Sequence, residues 1–443
     1  MAAVVDSAWI DELSELLRIP SVSADSAHKD DVQRAAEWVC AFVREAGGEA
    51  DVVMQNGRPL SLGEVPVSKG GPAPTVLVYG HFDVQPPAPL ELWESPPFEP
   101  TIRDGQLFAR GVADDKGNLY MILKAVAELA AAGSLPVNVR VACDGEEEIG
   151  GHSIVDFLGA DERGADACLI YDGTMVAPGR PAFNVATRGL LYFHIRVRTG
   201  ERDMHSGLYG GASLNALHVL TRMLAPLLAE DGRLAEPLRA GIAAPTKEEL
   251  EGWAALPPGA GELANAGGRP MDDRAAEEFY VRTFAEPSFD VNGIAGGSPQ
   301  LVKTVLSVEA EANVSIRLAP GQQVEEIRGA LEQLLRESAA PGADVEIELA
   351  SAAPPGLVDP SSAPLQLALD AVERVVGARP LLTRSGGTLP IVAALAEKGI
   401  PTVLTAFNLP DCGAHAPNER LPLEYLPLGA AAAREILTAW SRL

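Results

Sequence analysis

The sequence is short of positive charge. Among its 443 residues, 35 Lys and Arg stand against 61 Asp and Glu, a formal net charge of −26. Such a surface repels phosphate backbones and anionic lipid, so neither nucleic acid nor a membrane is an expected partner. Long apolar runs are missing as well: no stretch approaches the roughly 18 uninterrupted apolar residues that a spanning helix needs. The stretch Met1 to Leu17 is acidic and amphipathic, not a basic segment followed by an apolar block, so no secretory leader is expected in it. Cysteine is scarce. Cys40, Cys143, Cys168 and Cys412 lie far apart and mostly inside apolar segments, which excludes a disulfide framework or a thiolate metal site. Reduced core thiols of this kind point to the cytoplasm. Internal repeats are absent too.

What is present is ordinary globular material, 47% hydrophobic and 22% charged. A chain of this length exceeds one common core and should form about two domains. Asp6 or Ser7 can cap a helix with Trp9, Ile10, Leu13, Leu16 and Leu17 on one face, and Pro20 ends it. A second helix is expected from about Asp31 to Ala46, stopped by Gly47-Gly48. Strand signals follow near Ala50–Met54, at Thr75–Tyr79, at Val137–Ala142 and at Ala167–Tyr171, with a helix after Gly117. Strand, acidic loop and helix alternate, which predicts an α/β fold with a mixed, mostly parallel sheet flanked by helices.

The pattern changes after Ala186. Leu190–Val197 alternates as a half-buried strand, Ser213–Leu228 reads as a helix, Val305–Leu318 as a strand, Val324–Leu335 as a helix and Val345–Leu349 as a strand. We therefore expect an inserted α+β domain at 187–353, within a first domain formed by 1–186 and 354–443. The Gly-, Pro- and Glu-rich middle, 229–299, carries no assignable pattern. From Pro354 the α/β pattern resumes, with a helix at Leu365–Val376, a strand at Thr402–Leu404 and a closing helix.

The chemistry collects at strand ends. Thr75–Tyr79 reads as a strand buried on both faces; the chain then breaks at Gly80 and presents His81 and Asp83, where open α/β sheets bind ligands. Further along come Asp114, Glu148, Asp172 and His415. Each alone has an ordinary explanation: a Glu-Glu-Glu run is usually a solvated face, and an Asp-Asp pair before a helix is usually a cap. Together, two imidazoles and three carboxylates suit zinc, and a bridging carboxylate could hold two ions near one water. The set is too rich in oxygen for a structural zinc and too rich in nitrogen for calcium or magnesium. Glu147, beside Glu148, is placed to be a general base.

The segments Tyr79-Gly80-His81-Phe82-Asp83-Val84-Gln85-Pro86, Arg110-Gly111-Val112-Ala113-Asp114-Asp115-Lys116-Gly117, Glu147-Glu148-Ile149-Gly150 and Gly413-Ala414-His415 resemble the motif set of the di-zinc exopeptidases of clan MH. That family includes carnosine dipeptidase, aminoacylase, glutamate carboxypeptidase and succinyl-diaminopimelate desuccinylase. The resemblance runs through the whole chain in order. It is strongest to the carnosine-type dipeptidase branch, through Asp203-Met204-His205-Ser206-Gly207-Leu208-Tyr209-Gly210-Gly211, Lys303-Thr304-Val305 and Ser315-Ile316-Arg317-Leu318.

The resemblance implies two Zn2+ per subunit, with Mn2+ or Co2+ as substitutes. His81 and Asp172 would bind one ion, Glu148 and His415 the other, and Asp114 would bridge them. Asp83 would orient His81, and Glu147 would take a proton from the bridging water and deliver it to the leaving amine. The peptide bond after Asp114 would be cis. The inserted domain would form a homodimer and act as a lid. His205 would reach the partner subunit's site, while Thr304, Arg317 and Thr388 would hold a small peptide or N-acyl amino acid. Arg suits a terminal carboxylate because its planar fork donates two parallel hydrogen bonds. Carnosine-type relatives often carry an acidic residue and a serine where this chain has Ser385 and Thr388, both on the substrate side.

The function so implied is zinc-dependent hydrolysis of dipeptides by a metal-bridged hydroxide. An N-acyl-amino-acid deacylase or desuccinylase would use the same metals. A catalytically dead scaffold would have lost Glu147 or a ligand, and all of these positions are filled.

Overall fold

The computed structural model describes residues 5–228 and 232–443. Met1 to Val4, at the start of the stretch read for a leader, and 229–231, within the middle left unassigned, lie outside the described residues. The chain forms two compact units. The first runs to Val185 and resumes over Val358–Thr383 and Ala394–Leu443; the second comprises Ala186–Leu357 and Arg384–Ala393.

The first unit is built on a six-stranded sheet. Its strands, edge to edge, are Glu49–Gln55, Arg58–Val65, Asn138–Asp144, Thr75–His81, Ala167–Ile170 and Thr402–Leu404. The last four run parallel, and the first two attach antiparallel as a hairpin. Thr75–His81 is central, and every residue after Thr75 is buried, as its unbroken apolar sequence requires. Helix Lys116–Ala131 buries Leu119, Tyr120, Met121, Ile122 and Leu123, and helix Tyr425–Trp440 buries Trp440, whose indole N–H donates to Pro364 O at 2.8 Å. Asp6 caps the first helix, Ser7–Leu17, by accepting from Ala8 N–H.

The hairpin strand Arg58–Val65 was not foreseen. Asn56 and Gly57 both take positive φ (50° and 78°) and make the tight turn such a dipeptide favours. Pro59 and Gly63 interrupt the strand's pattern, which hid it.

The second unit is a four-stranded antiparallel sheet in the order Ser288–Gly296, Glu309–Leu318, Gly189–Arg198, Asp344–Ala353. Helices Ala216–Leu224 and Val324–Ser338 cover one face, enclosing Leu191, Phe193, Ile195, Val314, Ile316, Leu220 and Leu331. The other face is polar, with Arg196, Arg198, Glu309, Glu311 and Glu346 exposed. The helix expected to reach Leu228 ends at Leu224, because Pro226 cannot continue it and a 3₁₀ turn takes over. The unassigned middle holds helix Lys247–Trp253, which opens on a capping box of Thr246 and Glu249, and the edge strand Ser288–Gly296. Arg384–Ala393, expected with the returning first domain, groups with the second unit, where Arg384 binds Glu249 and the carbonyls of Ala243 and Ala244. No helix among the described residues is long and apolar enough to cross a membrane.

Candidate active site

The parallel strands of the first unit deliver the polar groups. His81 is the last residue of Thr75–His81 and is completely buried. Asp83 lies two residues on, Glu147 and Glu148 three and four residues past the neighbouring strand, and Asp172 two past Ala167–Ile170. Asp114 precedes the helix Lys116–Ala131, and His415 sits in the loop after Thr402–Leu404.

Asp114 is the centre. Its Oδ1 lies 3.0 Å from His81 Nε2 and its Oδ2 lies 2.9 Å from His415 Nε2. Glu148 Oε2 is 3.0 Å from the same His415 nitrogen. Two groups of donor atoms result, His81 with Asp114 and Asp172, and Asp114 with Glu148 and His415, each with its atoms within 4.8 Å of one another. They share Asp114. Glu147 belongs to neither group, although its Oε2 is 3.9 Å from His81 Nε2.

The surroundings fix these side chains. Asp83 Oδ1 is 3.4 Å from His81 Nδ1, and its two oxygens accept from the N–H groups of Glu147 and Glu148 at 3.2 Å each. One buried carboxylate thus holds the imidazole and both glutamates. Gln85 Nε2 donates to Glu148 Oε2 at 2.9 Å and to Glu148 O at 3.0 Å. Glu419 accepts from Arg110 Nη1 at 2.6 Å and from the N–H groups of Gly111, Ala113 and Asp114 at 2.8, 2.8 and 3.1 Å. Arg110 Nη2 also donates to Ala416 O at 3.2 Å, so one ion pair ties the Asp114 loop to the His415 loop. His415 itself holds a left-handed backbone, φ 60°, a conformation that costs a non-glycine residue about 1 kcal/mol or more. The Asp114–Asp115 peptide is cis, as the resemblance implies. Gln85 and Arg110 stand in the quoted motifs and Glu419 lies four residues past His415, but nothing local in the sequence marks any of them as supports.

The electrostatics fit a cation site. Asp172 Oδ2 is buried without a hydrogen-bond partner, an orphaned acceptor of the kind a metal satisfies. Burial pushes Asp172 up to about 7, with the carboxylates of Asp114 and Glu148 adding to it and His81 and His415 opposing. Burial likewise pushes Glu147 up to about 9, against His81 and with help from Asp172, Asp83 and Glu148. Acidic groups forced toward their neutral forms mark a site short of positive charge. Asp114 is the exception: burial alone would raise it, but its bonds to His415 and His81 hold it well below the usual carboxylate range.

The remaining candidates belong to the second unit. Arg317 Nη1 donates to Thr388 Oγ1 at 2.9 Å. His205 is exposed, accepts from Gly207 N–H at 3.0 Å and pairs with Val305 across a two-residue bridge. Thr304 adjoins it, with its carbonyl accepting from Ser206 N–H at 2.9 Å.

A family model described as Peptidase family M20/M25/M40 matches residues 77–439. The chain belongs to this family. Among curated relatives of this M20-family chain, cysteinylglycine-S-conjugate dipeptidase of Corynebacterium striatum is 28% identical, covering 96% of this chain and 94% of the relative. Beta-Ala-His dipeptidase of Homo sapiens is 27% identical over 92% of this chain and 81% of the relative. The solved M20 family metallo-carboxypeptidase of Sulfolobus solfataricus superposes with a TM-score of 0.85 at 25% identity, covering 98% of this chain and 99% of that one. With dipeptidases among its curated relatives, a metallo-carboxypeptidase as a solved neighbour and two candidate metal groups of its own, this chain is a metallopeptidase of the family.

Proposed function

We propose that this M20-family chain hydrolyses dipeptides, with two zinc ions held by His81 and Asp172 on one side, Glu148 and His415 on the other, and Asp114 between them. The observation that carries the reading is Asp114, whose two oxygens face two different histidines while Glu147, 3.9 Å from His81, belongs to neither donor group. The mixture of imidazole and carboxylate favours zinc, with manganese or cobalt as substitutes. When bound, such ions acidify water and polarise a carbonyl.

Glu147 then acts as the proton carrier. It takes a proton from the attacking water, the water oxygen adds to the scissile carbonyl carbon, and Glu147 passes the proton to the amide nitrogen as the C–N bond breaks. Two amino acids leave. Burial and the neighbouring carboxylates favour the protonated form of Glu147, and two cations bound beside it would favour the ionised form that can accept the proton. Asp83 keeps His81 and the Glu147 backbone in place throughout.

Arg317, with Thr388 fixing one arm of its guanidinium, supplies the group that reads the free terminal carboxylate, while Thr304, whose carbonyl accepts from Ser206 N–H beside His205, contacts the substrate together with His205. The second unit also mediates a homodimer, in which His205 stabilises the oxyanion at the partner subunit's site. Exposed Leu208, Tyr209, Val302 and Val305 flank His205 and support this placement. The four cysteines are all free and buried, which supports a cytoplasmic setting. The two curated relatives named above are dipeptidases and the solved neighbour is a carboxypeptidase, so a dipeptidase is favoured over a deacylase. Assay of the zinc-loaded enzyme against matched dipeptides and N-acetyl amino acids tests this. Hydrolysis of the dipeptides should dominate, and a preference for the N-acyl series would reverse the assignment.

A further inference from the structure

Four arginines are buried among the described residues: Arg110, Arg140, Arg188 and Arg384. Three have carboxylate partners, Glu419, Asp161 and Glu249 respectively. Arg188 has none within ion-pair distance among the described residues, although it is only 6% exposed. Its Nη1 donates to Thr283 O at 3.2 Å, its Nη2 donates to Ser288 Oγ, and its Nε is buried without a partner. A buried cation held by neutral groups alone is costly unless something anionic is to arrive.

Its location says where. Arg188 precedes strand Gly189–Arg198, in which Leu190 is the register partner of Arg317; Ser288, which accepts from Arg188, is the register partner of Arg317 on the other side. The Arg188 N–H donates to Ser385 O at 3.2 Å and Gly387 O at 3.0 Å, in the loop whose Thr388 hydroxyl meets Arg317. Arg317 likewise has no carboxylate partner among the described residues. Burial and the charge on Arg317 both lower Arg188, to about 10, with Asp290 opposing from beyond ion-pair distance. Two guanidiniums and a hydroxyl therefore share a corner in which, among the described residues, no carboxylate lies within ion-pair distance of either arginine and Asp290 acts only from beyond it.

We propose that Arg188 is a specificity-determining residue, a second buried cation behind Arg317 that makes this corner select substrates ending in a free carboxylate. The inference rests on the reading of Arg317 as the carboxylate holder. Arg317 touches the carboxylate with its fork. Arg188 is a positioning residue: it sets the potential there and holds the loop that presents Thr388.

The test compares a dipeptide with the same dipeptide amidated at its C-terminus, on wild type, Arg317→Ala, Arg188→Met, Arg188→Lys and Ser288→Asp. Wild type should prefer the free acid. Arg188→Met should lower kcat/KM for the acid by about tenfold, mostly through KM, with the amide changed by less than about twofold. Arg188→Lys should recover most of the preference, because charge is what it supplies, whereas a purely structural role would depress acid and amide together. Ser288→Asp places a carboxylate against Arg188 without altering the arginine, and should erode the preference even if Arg188→Met fails to fold. Loss of preference in Arg317→Ala with none in Arg188→Met or Ser288→Asp overturns the role of Arg188 alone. Equal cleavage of acid and amide by wild type overturns the carboxylate reading and this inference with it.

Discussion

Arg110 donates to Glu419 at 2.6 Å across 309 positions of chain, and both side chains are fully buried. The Glu419 carboxylate also collects three N–H groups of the Asp114 loop, while Arg110 holds a carbonyl beside His415. The pair therefore spaces two proposed ligands without touching a metal. Glu419→Gln should leave Arg110 buried without its counter-charge, costing about 3–5 kcal/mol of stability. It should also weaken metal binding by about 10- to 100-fold, as loss of support around a ligand does. Denaturant unfolding and metal titration measure the two effects, and unchanged metal affinity would make the pair purely structural.

Glu147 and Glu148 are neighbours with different proposed tasks. Glu147→Gln keeps shape but removes the base, so kcat should fall by at least about 10²-fold with metal content preserved. Glu148→Gln should instead lose metal first. The opposite pattern of metal retention would exchange the two roles.

How much of this was readable beforehand follows from where the information lies. His81 and Asp83 follow an unbroken apolar strand, the acids at 147, 148 and 172 follow similar strand ends, and Asp114 stands just before a helix with a clear apolar face, so local pattern marked their places. Arg110 and Glu419 were invisible because their meaning is a contact between distant segments, and a charged residue in a polar loop reads as surface. Arg188 was passed over for a related reason. What distinguishes it is the carboxylate it lacks, and burial without a partner has no signature in sequence. Strand Ser288–Gly296 escaped because its glycines break the alternation that marks a strand.

The Arg384–Glu249 pair gives a pH dependence. Burial raises Glu249, but the bonds from Arg384 and Thr246 outweigh it and hold the carboxyl below its usual range. A depressed acid contributes stability above its unfolded value, about 4.3, and loses it as pH falls through the folded value. Glu249→Gln should thus lower the unfolding midpoint at pH 7, with the gap to wild type closing below about pH 4. Thermal unfolding across that range checks the sign, and a gap that widens in acid would contradict it.

If His205 serves the neighbouring subunit, His205→Ala and Glu147→Gln should each be nearly inactive alone. Mixed dimers of the two should regain one working site. No recovery after verified subunit exchange, or a fully active monomer, would count against that arrangement.

Metal dependence tests the central claim most directly. Purified protein stripped of metal by chelation should not cleave dipeptides, and zinc added back should restore activity in step with about two ions bound per chain. Asp114→Asn should disturb both binding events, since one carboxylate serves both donor groups. Full dipeptide hydrolysis by thoroughly metal-free protein would contradict the account.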